Sequence, residues 1–170
     1  MSLFDVAFCI AAVVAAISTL FTVTGRNPVH ALLYLIVSLL AVAVIFFLFG
    51  APFAALLEVI VYAGAIMVLF VFVVMMLNLG DVSEQEARLL TPRIWTGPSF
   101  MALLLLAEVL WLLIQGGGSI EPAASAFGTE ITVKQVGIAL YGPYLLAVEL
   151  ASMLLLGALV AAYHVARADQ

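Results

Sequence analysis

Charged side chains are scarce in this sequence. Ten Asp and Glu and five Lys and Arg make up 9% of its 170 residues, against 67% hydrophobic ones. A soluble domain uses roughly a quarter charged residues, so this chain has too little polar surface to cover the core it would bury. Hydrocarbon must take the place of water around it. Five unclustered bases also exclude a nucleic-acid footprint. The single cysteine, Cys9, excludes an intrachain disulfide and a thiolate-built metal site, and reads as a small apolar residue packed in a helix. No basic segment precedes the first apolar stretch, whose only early charge is Asp5, so that stretch reads as an uncleaved span and not a signal peptide. The formal charge of -5 rests mostly on short loops and says little about partners.

Catalytic constellations are missing as well. There is no phosphate-cradling glycine loop behind a strand, no pair of His at i, i+4, and no Ser/His/Asp arrangement that spans could assemble. His30 and His164 fall at span ends and read as interfacial residues, not as buried haem ligands. The sequence assigns no catalytic, cofactor-binding or metal site.

What is present is a set of long apolar runs. About 20 mostly apolar residues cross a bilayer core, and five stretches qualify: residues 5–24, 28–49, 53–79, 98–115 and 141–165. The fold class is therefore an all-α integral membrane protein of five transmembrane helices, forming a single membrane domain over residues 1–170. Asn27-Pro28, Gly97-Pro98 and Gly142-Pro143 each place a proline where a first helical turn has no use for its N–H, and read as helix starts. Asn78 and Gly80 read as a C-terminal cap, and Ser83 with Glu86 has capping-box spacing. The stretch from Gly116 to Gly137, opening on three glycines, supports no assignment.

With the N-terminus outside, Arg26, Arg88, Arg93 and Arg167 fall in cytoplasmic segments and only Lys134 lies opposite, which is the expected positive-inside bias. The C-terminus is then cytoplasmic. Tyr141, Tyr144 and Tyr163 read as interfacial anchors, and Met75-Met76 as packing.

The third and fifth spans carry features that lipid alone does not favour. Glu58 and Tyr62 are four apart on one helical face, followed by the small residues Ala63, Gly64 and Ala65. Glu149 and Ser152 are three apart, among small residues spaced four apart at Ala147/Ala151, Gly157/Ala161 and Ala158/Ala162, a spacing that permits close helix contact. An ionised carboxylate at the bilayer centre costs about 2.5–3.5 kcal/mol on insertion scales, and no span holds a Lys or Arg. The intramembrane carboxylates Glu58, Glu108 and Glu149 are therefore protonated, hydrated in a cavity or paired with a neighbouring chain. The surroundings of Glu108, in a leucine-rich span, are not legible.

Three stretches carry a family resemblance. Asn27-Pro28-Val29-His30-Ala31-Leu32, the third span from Glu58 through Tyr62-Ala63-Gly64-Ala65-Ile66-Met67-Val68-Leu69-Phe70 to Asn78, and Gly142-Pro143-Tyr144 with Glu149-Leu150-Ala151-Ser152 resemble the subunit 6 family of respiratory complex I, the bacterial subunit J family of NADH:quinone oxidoreductase. The resemblance implies a non-catalytic subunit of the membrane arm, in a bacterial inner membrane, with other membrane subunits and lipid as its neighbours in a hetero-oligomer. It also implies that NADH, FMN, iron–sulfur clusters and quinone belong to other subunits. The family's third helix carries a π-bulge around a tyrosine-glycine region that matches Tyr62, Ala63 and Gly64, with Met67 and Val68 following, and that region is implicated in coupling quinone reduction to proton movement. Glu108 matches no motif of the family.

Two other readings compete. A small proton-coupled transporter or channel would use Glu58 or Glu149 as its titrating group, but such folds favour internal repeats, which the two halves of this chain lack. A purely structural membrane scaffold would use none of these residues.

Overall fold

The computed structural model describes residues 3–76, 92–115 and 131–167, and every regular element among them is helical. In chain order these are α1 (Leu3–Thr24), α2 (Pro28–Leu48), α3 (Pro52–Leu57), a π-helical segment π1 (Glu58–Ile66), α4 (Met67–Met76), α5 (Pro92–Gln115), α6 (Val133–Tyr141) and α7 (Leu145–Arg167). Five helical stretches are long and apolar enough to cross a membrane: Phe4–Thr24, Pro28–Leu48, Pro52–Met76, Trp95–Ile114 and Leu145–Arg167. The proposed cap at Asn78 and Gly80 and the capping box at Ser83 lie outside the described residues. Packing divides the chain into a unit of residues 1–130 and a unit of residues 131–170.

Local chemistry sets the helix ends. The Asn27 side chain accepts hydrogen bonds from the backbone N–H groups of Val29 at 3.0 Å and His30 at 3.4 Å, capping α2 with Pro28 in its first turn. At the other end Gly50, with φ of 74°, takes the left-handed conformation that closes a Schellman turn. Its N–H donates to the Phe47 carbonyl and that of Ala51 to the Phe46 carbonyl, both at 3.1 Å. Pro52 then opens α3 directly, so the chain reverses within a few residues.

Two expected helix starts are corrected. Helix α5 begins at Pro92 and carries Pro98 in its interior, so Gly97-Pro98 is not its start. A proline there leaves the carbonyl four residues back without its helical donor. The neighbouring Gly97 has a packing reason, because any Cβ on it would collide with the Tyr34 hydroxyl of α2. Gly142 and Pro143 likewise sit in a turn, and α7 starts at Leu145 with Tyr141 closing the preceding helix. Part of the unassigned stretch forms that preceding helix, α6. A reciprocal capping box starts it, with Thr132 N–H donating to Gln135 Oε1 at 2.9 Å and Gln135 N–H donating to Thr132 Oγ1 at 3.4 Å.

In the first unit α2 is the central helix, touching α1, the third span and α5. Two apolar clusters tie α1, α2 and α5 together: Val14, Val37, Ala41 and Leu105 in one, Ala7, Leu48 and Leu112 in the other. Hydroxyls join α1 to α2 between these residues and the helix ends. Thr19 Oγ1 and Ser38 Oγ lie 2.7 Å apart, and both reach the Ala15 carbonyl, at 2.8 and 3.2 Å. Tyr34 is buried, stacked on Phe21 and meeting His30 edge-on.

Candidate functional site

The third span changes its winding as it crosses. Glu58 N–H still reaches four residues back to the Ala54 carbonyl, while Met67 N–H reaches five back to that of Tyr62. Between them, Glu58–Ile66 forms nine residues of π-helix, flanked on both sides by α-helical dihedrals at Leu57 and Met67. A π-helical run leaves backbone groups out of the α-helical ladder, and such segments occur frequently at functional sites.

Gly64 sits within this winding. A Cβ built on it would lie 3.0 Å from the Val59 carbonyl, five residues back, so a side chain there would press on the backbone of the π turn itself. Glycine also costs up to about 1 kcal/mol relative to alanine inside a helix, and the backbone there is correspondingly easier to distort than in the apolar run of α4 that follows. Ala63 and Met67 are buried, Glu58 and Gly64 are half-buried, and Tyr62 (53% exposed) and Val68 (61%) face outward. The π segment therefore contains Tyr62, Ala63, Gly64 and Glu58, with Met67 and Val68 as the first residues beyond it. Glu58 and Tyr62 belong to one winding; the extra residue per turn means that α-helical spacing no longer describes their face.

The second unit holds Glu149 and Ser152. The Ser152 hydroxyl donates to the Glu149 backbone carbonyl at 2.7 Å, a bond within helix α7 that does not involve the carboxylate. Within that unit Glu149 is exposed, as are Tyr141, Tyr144 and Tyr163. Cys9 is exposed on α1 and not packed, because the inward face of that helix is taken by Ala7, Ala11, Val14 and Ser18. Met75 and Met76 are also mostly exposed in the first unit. Among the described residues no group of three His, Cys, Asp or Glu is placed to hold a metal.

One residue was missed as a site. Glu108 of α5 is buried (5% exposed), with both carboxylate oxygens enclosed and no hydrogen-bond partner among the described residues. Its position three after Leu105 and four before Leu112 puts it on their face, a signal that helical spacing carried in the sequence.

These features define a polytopic helical membrane protein whose third span is interrupted by π-winding. Residues 18–165 match the family described as NADH-ubiquinone/plastoquinone oxidoreductase chain 6, and the chain belongs to that family. It is 62% identical over 167 residues to the NADH-quinone oxidoreductase subunit J of Pseudomonas aeruginosa PAO1, covering 97% of this chain and 98% of the relative. To subunit J of Escherichia coli K12 it is 53% identical, covering 98% of this chain and 88% of the relative. To subunit J of Rhodobacter capsulatus it is 38% identical, covering 95% and 81%.

Proposed function

We propose that this chain is a non-catalytic subunit in the membrane arm of a proton-translocating NADH:quinone oxidoreductase, and that its third span helps couple quinone reduction to proton movement by rewinding between π and α forms. Near-full-length identity to several bacterial J subunits supports the subunit assignment. The observation that carries the coupling role is the π segment Glu58–Ile66, with Gly64 set against the Val59 carbonyl. NADH, FMN, iron–sulfur clusters and quinone are handled by other subunits, and residues 1–170 of this chain form a single membrane domain in a bacterial inner membrane.

The physical step is a rotation. One residue in 3.6 is about 100°, so loss of the π turn swings Met67, Val68 and everything after them relative to Tyr62 by about a quarter turn. Bulky side chains then leave one groove and enter another, and a hydrated gap beside the helix opens or closes. Glu58 at the start of the winding supplies a carboxylate to that gap, and Glu149 supplies another toward a neighbouring subunit or water.

Replacing Gly64 by Leu tests this. The variant is expected to assemble and to oxidise NADH with an artificial acceptor at near wild-type rate, while quinone-linked turnover and proton pumping fall several-fold. Unchanged pumping in a fully assembled Gly64→Leu complex would refute the coupling role.

A further inference from the structure

Glu108 has no part in the third-span account, yet its setting is specific. Leu105 packs with Val14, Val37 and Ala41, and Leu112 packs with Ala7 and Leu48. This pairing runs α5 antiparallel to α1, and midway between the two layers Glu108 falls level with Ala11, which is itself wholly buried. The α1 seam is built from small side chains at Ala7, Ala11 and, two turns on from Ala11, Ser18, leaving room for a carboxyl beside Ala11 where a larger residue would clash.

Among the described residues, the groups facing that carboxyl carry no charge. Helix α1 turns Ala7, Ala11, Val14 and Ser18 inward, and α2 turns Val37, Ser38, Ala41, Val44 and Leu48. The titratable residues of α1, Asp5 and Cys9, are exposed. Those of α2, His30 and Tyr34, lie near its N-terminal end, where Tyr34 meets Gly97, eleven residues and so about 16 Å along α5 from Glu108. On α5 itself the other charged residue is Arg93, about 22 Å away along the helix axis.

The occupants this seam admits are few. An ionised carboxylate enclosed without a counter-charge or hydrogen bond is among the most costly arrangements in a protein interior. A hard cation needs six or more oxygen ligands, and the buried side-chain oxygens of the seam among the described residues are those of Glu108 and the hydroxyls of Ser18 and Ser38, too few to form such a shell. A buried water needs two to four polar partners, and the facing side chains are almost all aliphatic.

We propose that Glu108 is an internal proton-binding site, its carboxyl holding a proton within the packed seam of α1, α2 and α5. Loss of that proton would leave a bare charge against Ala11 and Ala41, so deprotonation requires α5 to separate from α1 and α2 or water to enter between them. Protonation of Glu108 and closure of the three helices are thus coupled. This inference stands apart from the rewinding of the third span, and either can fail without the other.

Infrared difference spectroscopy on the full chain in lipid nanodiscs at neutral pH tests it. Subtracting Glu108→Gln from wild type is expected to leave the C=O stretch of one carboxylic acid per chain, moved down by exchange into D2O. Glu108→Asp gives a second subtraction, in which the acid band is displaced and not lost, should the Gln variant fail to accumulate. A difference confined to the paired stretches of an ionised carboxylate, in either subtraction, overturns the proposal.

Discussion

At the residue scale the first unit is held together by small contacts between helices that lipid cannot replace. Lipid tails are as apolar as leucine, so helix association rests on close packing and interhelical hydrogen bonds. The Thr19–Ser38 pair, at 2.7 Å and shared with the Ala15 carbonyl, is such a bond. Interhelical hydrogen bonds in a membrane couple by about 0.6 kcal/mol on average and about 1.7 at most. A double-mutant cycle of Thr19→Val and Ser38→Ala, read by unfolding of the full chain in mixed micelles, is expected to give a coupling within that range. A coupling indistinguishable from zero would show that the two hydroxyls are satisfied separately by their own helices. Tyr34 and Gly97 belong to the same class of contact: an aromatic hydroxyl seated on a residue without a side chain, holding α2 against α5 next to the interruption at Pro98.

At the element scale, helix ends were legible where one residue did one thing. Asn27-Pro28 reads as a helix start and is one. Gly50 closes α2 by a Schellman turn, and alanine in a left-handed conformation costs roughly 1–2 kcal/mol. Gly50→Ala should lower the stability of the chain by about that amount in a micelle unfolding titration, with the other helices unchanged in circular dichroism. An unchanged midpoint would mean that the turn adopts another form at no cost. Legibility failed where two signals competed. Pro92 and Pro98 both suit a first turn; the helix starts at Pro92 and runs through Pro98, beside which Gly97 packs against Tyr34. Thr132 and Gln135 have capping-box chemistry, but the glycines before them masked a short helix. The winding of the third span was not in the periodicity at all. Composition showed a glycine among small residues, and π-helical hydrogen bonding depends on where each carbonyl points. Glu108 was the opposite case: its burial follows from spacing against Leu105 and Leu112, but which face of α5 turns inward is a tertiary fact.

At the scale of the whole molecule, we propose an orientation from the distribution of charge. The four arginines fall on the side that the positive-inside rule assigns to the cytoplasm once the N-terminus is placed outside, and Lys134 falls opposite. In a Cys9→Ala background, a cysteine introduced as Ser119→Cys should react with a membrane-impermeant maleimide on intact cells, and one introduced as Glu86→Cys only after permeabilisation. The reverse pattern would invert the topology. The central claim, that the third span rewinds during turnover, concerns a change of state within the assembled complex. The most direct test is to resolve the third span of that complex by electron cryomicroscopy at rest and during turnover with NADH and quinone. The account predicts two classes: one with π-winding over Glu58–Ile66, and one that is α-helical throughout, with Met67 and Val68 rotated by about 100°. The same π-helical winding in every resolved class of an actively pumping complex would contradict it.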